Sequence, residues 1–152
     1  MKIVVLLLSI LVVGCSTTVS MFPMEGPLSK VAPLPVLSAK VDGILGNTGN
    51  ISLTYPDGET FTGKWSSMAP QSGGVSAGIT TSGAKTGLLS AWAAAFGAGY
   101  SVKIVPGVNR GEAVAVGNKG TVVEIEFYTG SGTANGVGVA KDNKGNIYKL
   151  LF

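Results

Sequence analysis

Residues 118–127 read Asn118-Lys119-Gly120-Thr121-Val122-Val123-Glu124-Ile125-Glu126-Phe127. This stretch joins a tight turn, in which Gly120 can take the positive φ that other residues resist, to a strand of alternating polarity. The pattern returns at identical offsets in Asn143-Lys144-Gly145 followed by Ile147, Tyr148, Leu150 and Phe152. The two copies predict antiparallel hairpins that share one core. The residues expected to face that core are Val123, Ile125, Phe127, Tyr148, Leu150 and Phe152.

Similar strand and turn signals extend in both directions from this repeat. Most of the 23 glycines fall singly between short β-rich runs, as in an all-β domain with many turns. The clearest hairpin of the N-terminal half has Pro56-Asp57-Gly58 as its turn, and its alternation buries Ile51, Leu53, Tyr55, Phe61 and Trp65. We therefore predict an all-β domain over residues 40–152, a small antiparallel meander forming a sandwich or a partly open barrel. Further strands are expected at 40–45, 100–105, 112–116, 121–128, 135–141 and 146–152.

Residues 68–100 are less regular. Residues 68–85 are rich in Gly, Ser, Thr and Ala and predict a long loop around a weak strand near 78–81. Beyond it, Leu88, Leu89, Trp92 and Phe96 recur at helical spacing, and Gly97 can end a helix. Because Trp92 and Phe96 also share one face of a strand, both assignments stay open. We favour one short helix at about 86–97 lying on the sheet, with a membrane-inserting loop as the alternative.

The N-terminus has the layout of a secretory signal. Lys2 precedes an apolar run over residues 3–13, which is shorter than the roughly 20 residues that a membrane-spanning helix needs. Val12-Val13-Gly14-Cys15 resembles the lipobox of bacterial lipoproteins. The resemblance implies cleavage between Gly14 and Cys15 and lipidation of Cys15 by fatty acyl chains such as palmitate. The alternative is an ordinary signal peptide, residues 1–14, followed by a chance cysteine.

Residues 15–39 are predicted to be a lipidated N-terminus and a proline-rich tether. Pro23, Pro27, Pro33 and Pro35 fix φ and lack backbone donors, which favours an extended spacer over a paired strand. The apolar residues of this segment could instead lie along the surface of the domain.

Composition excludes several function classes. The chain has no histidine and one cysteine, which removes the common zinc sites, His-dependent hydrolases, and haem held by histidine or cysteine. Loss of Lys2 would lower the formal charge from +3 to +2, too little for charge-driven binding of nucleic acid. We expect no catalytic residue, no cofactor and no metal ion.

Three polar features of the sequence could carry chemistry. Glu124 and Glu126 share one face of a strand about 7 Å apart, as acid and base pairs can, although the solvent face of a strand is the favoured interpretation. Arg110 could anchor a carboxylate or a glycan, but a structural pair with a nearby acid is favoured. The run Asp142-Asn143-Lys144-Gly145-Asn146 resembles a calcium loop, yet Lys144 occupies a ligand position, so a plain hairpin turn is favoured.

The aromatic residues allow two interpretations. Several aromatic side chains together could form a platform for sugars, but a β-domain of this size buries most of its aromatic side chains in its core. The residues concerned are Tyr55, Trp65, Trp92 and Tyr100.

The C-terminal sequence resembles that of a group of small uncharacterised proteobacterial lipoproteins. The similarity covers about the last 45 residues and includes Asn109-Arg110-Gly111-Glu112, Gly117-Asn118-Lys119-Gly120-Thr121 and Tyr148-Lys149-Leu150-Leu151-Phe152, with the lipobox in support. Many members carry cysteines at the positions of Ile125 and Ala140, which implies that these two residues are neighbours here. A weaker similarity of architecture is to the lipoprotein inhibitors of C-type lysozyme.

These observations favour a lipid-anchored envelope protein that acts as a non-catalytic binding or structural module. Ser16 after the lipidated cysteine, in place of aspartate, resembles the sorting pattern of lipoproteins sent to the outer membrane, facing the periplasm. The expected partners are the membrane, through lipid on Cys15, and an envelope protein or peptidoglycan, with no nucleic acid. The alternatives are an inhibitor of a lysozyme-like hydrolase and a carbohydrate-active enzyme using Glu124 and Glu126.

Overall fold

The computed structural model describes residues 15–68, 88–100 and 106–152, which form a closed antiparallel barrel. Each strand pairs with the next in the chain, and the first pairs with the eighth, so the described strands leave no free sheet edge. A 3-10 helix (Pro27–Lys30) follows the first strand, and α1 (Leu89–Phe96) lies between the fourth and the fifth. The strands are β1 (Ser16–Glu25), β2 (Leu37–Asp42), β3 (Thr48–Thr54), β4 (Thr60–Met68), β5 (Val108–Gly117), β6 (Val122–Gly130), β7 (Gly136–Asp142) and β8 (Ile147–Leu151).

The predicted all-β meander is confirmed, and its form is a closed barrel rather than a sandwich. Alternation sends every second side chain of each strand inward, where these side chains form one apolar core. The inward positions predicted from the repeated hairpins are confirmed, with Phe152 partly buried against the core. The five residues predicted to be buried by the N-terminal hairpin also belong to this core.

The neighbour relation implied for Ile125 and Ala140 is confirmed. The two residues are direct partners in the β6–β7 pairing, and both face the core. Two apolar residues therefore lie side by side at this point of the barrel wall.

The prediction of a proline-rich tether is wrong for the described elements between Ser16 and residue 39. β1 begins at Ser16 and pairs on one side with β2 and on the other with β8, with Val19 and Met21 buried in the core (3% and 0% exposed). The prolines are tolerated because Pro23 lies where the pairing with β8 shifts register, and the others lie between β1 and β2. β2 accordingly runs from Leu37 to Asp42 rather than over the predicted 40–45.

The predicted short helix is confirmed as α1, which packs on the outside of the barrel against β7 and β8. Leu88, Ala91, Trp92 and Ala95 form a second apolar cluster with outward residues of the strands, among them Val139 and Ile147. The ammonium of Lys149 lies 4.5 Å from the centre of the Phe96 ring. Three predictions lie outside the described residues, apart from residues 68 and 100. They are the signal peptide over 1–14, the loop over 68–85 with its weak strand near 78–81, and the strand over 100–105.

Candidate ligand cavity

The two ends of the barrel differ in chemistry. At one end lie the β1–β2 connection and the turns β3–β4, β5–β6 and β7–β8, and we call it the closed end. At the other end lie Cys15, the β2–β3 loop, the β6–β7 loop and Phe152, and we call it the open end. Polar and aromatic side chains fill the closed end, whereas the interior at the open end contains a cavity.

The closed end is filled by a hydrogen-bonded group around Asp142. Its Oδ2 accepts hydrogen bonds from the hydroxyls of Tyr55 at 2.9 Å and Tyr148 at 3.0 Å, and from the Asn146 amide at 2.7 Å. Its Oδ1 accepts from the backbone N–H groups of Lys144 and Asn146. Burial raises the pKa of Tyr148, and the neighbouring Tyr55 and Asp142 raise it further. The Asp142 carboxylate is thus hydrogen-bonded to its own turn and to two tyrosines. Residues 142–146 form the hairpin turn that the sequence favours over a calcium loop.

Glu59 is the second acidic side chain at the closed end and is fully buried (0% exposed). Its carboxylate accepts hydrogen bonds from the Thr121 hydroxyl at 2.6 Å, the Thr121 N–H at 3.0 Å, the Lys119 N–H at 3.2 Å and the Lys144 ammonium at 2.9 Å. Burial acts to raise the pKa of Glu59, but the hydrogen bonds from Thr121 and Lys144 outweigh it and lower the pKa to about 2. Glu59 thereby ties β4 to the β5–β6 and β7–β8 turns.

The open end contains a cavity of about 310 Å³. Its wall is made by inward residues from the halves of the strands near this end, and small side chains such as Ala39 and Ala113 leave the space. Trp65 lines the wall and is fixed by its indole N–H, which donates to the Asp42 carbonyl at 2.8 Å. An eight-stranded barrel is wide enough to hold one small ligand when large side chains do not fill it.

Among the residues that the structure describes, none of those lining the cavity carries a charge. Apolar and aromatic residues form its depth, and neutral polar groups lie nearer the open end. Burying an ion without a counter-charge is strongly unfavourable, so this lining favours a neutral guest over a charged one. The polar residues that line it are Thr17, Asn47, Ser67, Asn109, Thr129 and Thr133.

Cys15 is exposed and lies at the rim of the open end. It directly precedes β1, and its carbonyl accepts a hydrogen bond from the N–H of Gly43 at 3.3 Å. The next two residues after Gly43, Ile44 and Leu45, line the cavity mouth. The predicted lipidation residue and the cavity are therefore at the same end of the barrel.

The two glutamates of β6 have different environments. Glu124 is exposed, but Glu126 is fully buried (0% exposed), so the prediction of a shared solvent face is wrong for Glu126. Its Oε1 accepts hydrogen bonds from Arg110 Nε at 3.0 Å and from the Tyr128 hydroxyl at 2.9 Å. Its Oε2 has no hydrogen-bond partner in the part of the chain that the structure describes.

Arg110 forms the structural pair that the sequence favoured. Besides Glu126, its guanidinium contacts Glu112 at 3.2 Å. Burial acts to lower the pKa of Arg110, but the hydrogen bond to Glu126 and the neighbouring negative charges together outweigh it and raise the pKa. The guanidinium belongs to this outer cluster and does not line the cavity.

The four aromatic residues considered for a sugar platform are divided between two places. Tyr55 and Trp65 lie inside the barrel, whereas Trp92 and Tyr100 stack on each other outside it, with ring centres 5.8 Å apart. They do not form one platform.

Sequence reasoning missed the cavity and the role of Glu59. The signal for the cavity is a set of small residues at inward positions, namely Thr17, Ala39 and Ala113. They indicate a cavity only when β1 is known to belong to the barrel. Glu59 lies directly after the predicted turn at residues 56–58, and its partners on two other turns are 60 or more residues away in sequence.

The described residues form a closed eight-stranded meander barrel that contains a ligand-sized interior space. Comparison of the chain with protein-family models, curated proteins and solved structures finds no match. Within residues 15–68, 88–100 and 106–152, no helix is both long and apolar enough to cross a membrane.

Proposed function

We propose that this protein is a lipid-anchored, non-catalytic binding module of the cell envelope whose barrel holds one neutral, largely apolar ligand. The single observation that carries the proposal is the uncharged cavity at the open end. Its volume of about 310 Å³ lies at the lower end of the range of about 300 to 1,000 Å³ typical of small-molecule sites. Apolar depth with a few neutral polar groups at the rim matches the chemistry of a single-chain amphiphile with an uncharged head.

The proposed anchor is the lipid on Cys15, and the proposed location is the outer membrane, facing the periplasm. The order of charged start, apolar run, Gly14 and Cys15 supports lipidation, and Ser16 after the cysteine supports outer-membrane sorting. Metabolic labelling with a fatty-acid probe tests the anchor. Label that persists in Cys15→Ser would refute it.

A binding role is favoured over catalysis by the contacts of the best acidic candidates. Glu126, the buried member of the proposed carboxylate pair, is held by Arg110 and Tyr128 on the outside of the barrel. Asp142 and Glu59 are engaged by turn amides, hydroxyls and Lys144 at the closed end. None of these carboxylates lines the cavity where a substrate would lie.

The test is a binding titration on the mature chain made without lipid, from residue 15 with Cys15→Ser. Every strand of the barrel lies within residues 16–151, so this chain keeps all of the described pairings. The probe is a monoacylglycerol brominated on its acyl chain, because bromine quenches the emission of a tryptophan that it contacts. We expect saturable quenching of Trp65, which lines the cavity, and weaker binding of a fatty acid of equal length because its carboxylate meets no cation there.

Two adjacent threonines provide a matched pair of variants. Thr17 lines the cavity and pairs with Val41, whereas Thr18 points outward and pairs with Lys40. We expect Thr17→Trp to abolish saturable binding by filling the cavity mouth, and Thr18→Trp to bind like the parent chain. Because each variant adds a tryptophan, binding is followed for both by retention of radiolabelled monoacylglycerol. Equal affinity in the two variants, or no saturable binding to the parent, would refute the proposal.

A further inference from the structure

The loop that joins β2 to β3 carries an apolar side chain into solvent at the mouth of the cavity. Leu45 is 87% exposed, the highest exposure among the large apolar side chains that the structure describes. A turn holds it there, since the Gly46 N–H donates to the Gly43 carbonyl at 2.9 Å. Gly43 has φ +83, and a Cβ at this position would contact the Thr48 carbonyl, so the turn depends on glycine.

The described loops at the open end carry no charge. Residues 43–47, 106–107 and 131–135 contain none of the four charged residue types. The connections at the closed end, in contrast, carry Lys30, Asp57, Glu59, Lys119 and Lys144. The described loops of the open end thus differ in charge from the connections of the closed end.

The attachment of Cys15 limits how the barrel can be oriented. One peptide bond separates Cys15 from β1. The Cys15 carbonyl accepts a hydrogen bond from the N–H of Gly43, which lies two residues before Leu45. A lipid on Cys15 would consequently enter the bilayer beside Leu45, with no spacer to let the barrel turn away. An exposed leucine next to an acyl anchor gains free energy by entering the membrane interface.

From these observations we infer that the open end lies against the bilayer, with Leu45 inserted at the interface, so that the cavity exchanges its ligand directly with the membrane. This inference rests on the proposed lipidation and on the proposed ligand site. The partner is a lipid bilayer surface, and the guest is a neutral single-chain lipid taken from it. The charged closed end then faces away from the membrane.

The first experiment locates the two ends relative to the bilayer. The lipidated protein is reconstituted into phosphatidylethanolamine and phosphatidylglycerol vesicles that contain phospholipids brominated near the headgroup. Leu45→Trp is compared with Leu34→Trp, whose parent leucine is 44% exposed in the β1–β2 connection at the closed end. We expect added emission from Leu45→Trp that is blue-shifted and quenched, and added emission from Leu34→Trp that is not quenched.

The second experiment measures exchange. Leu45→Asp should slow transfer of the brominated monoacylglycerol from vesicles to the lipidated protein by roughly tenfold, because insertion of the loop is lost. Leu34→Asp should transfer at the parent rate. Because Leu45 also lines the cavity mouth, the affinity of each variant for the probe is measured on the chain made without lipid, and the transfer rates are compared after correction for any change in affinity.

These readouts separate the two proposals. An unquenched Leu45→Trp, equal quenching at residue 34, or an unchanged transfer rate in Leu45→Asp would overturn the membrane-facing orientation even if the lipid-free chain binds the probe. Conversely, absence of probe binding by the lipid-free chain would refute the ligand site, whatever the quenching shows.

Discussion

A disulfide between residues 125 and 140 tests the register that closes this part of the barrel. Direct partners on antiparallel strands have Cα atoms about 4.5 to 5.5 Å apart, which lies within the roughly 4.4 to 6.8 Å that a disulfide spans. Ile125 and Ala140 are such partners, and both face the core. We therefore expect Ile125→Cys/Ala140→Cys, in a Cys15→Ser background, to oxidise without disturbing the barrel.

The stabilisation follows from the size of the loop that the disulfide closes. A loop of about 15 residues loses chain entropy worth about 3 kcal/mol in the unfolded state. For a domain of this length, that corresponds to a rise in Tm of about 10 °C. Comparing the oxidised with the reduced form of one variant cancels the cost of shortening Ile125, which is on the order of 1 kcal/mol.

The assay is thermal unfolding followed by circular dichroism, with thiol titration to confirm the oxidation state. Ile125→Cys/Val139→Cys is the matched control, because Val139 pairs with Glu126 and faces the cluster under α1 instead of the core. Rapid oxidation of the control, or an oxidised 125–140 variant that melts no higher than its reduced form, would show that the register is not the one described.

Three further experiments test contacts elsewhere in the barrel. Folding lowers the pKa of Glu59 from 4.5 to about 2. The contribution of Glu59 to the free energy of unfolding is therefore complete above pH 4.5 and is lost as the pH falls towards 2. The urea midpoint of Glu59→Gln should not show this loss of stability at acid pH. Arg110→Ala leaves Glu126 buried without its cation and should lower the free energy of unfolding, measured in urea, by roughly 3 kcal/mol. Adding Glu126→Leu should recover most of this loss. Full stability in Arg110→Ala would contradict the ion pair. Gly63→Ala places a Cβ against a β5 carbonyl and should cost roughly 3 kcal/mol. Gly58→Ala, with open space around the added Cβ and φ +79, should cost about 1 kcal/mol, and similar losses at both glycines would refute the close approach of β4 and β5.

The C-terminal strands could be predicted because their information is local. Strict alternation, such as Val123, Ile125 and Phe127 after the turn at Gly120, sets both the inward face and the hairpin register within a few residues. The same logic predicted the 56–58 turn and its buried partners. Local pattern thus determined most strands and the inward direction of their side chains.

The features that could not be predicted depend on pairings between distant parts of the chain. β1 closes the barrel by pairing with β8, more than 120 residues away, and its prolines argue against a strand when judged alone. Glu126 alternates like a solvent-facing residue, and only the position of α1 and Arg110 on that face explains its burial. The cavity likewise exists only when Thr17, Ala39 and Ala113 are brought to the same end of a closed barrel.

The distribution of side-chain size along the barrel axis separates stability from binding. Met21, Phe61 and Tyr148 fill the half near the closed end, where the Glu59 and Asp142 networks join the turns. In the other half, small side chains such as Ala39 and Ala113 lie among larger ones such as Trp65 and leave the cavity, while strand pairing still closes the barrel. Enlarging Ala39 or Ala113 should therefore fill space and leave unfolding free energy nearly unchanged, whereas shortening Phe61 should cost roughly 3 to 5 kcal/mol. The barrel can therefore keep a cavity at one end because the filled opposite end supplies much of its stability.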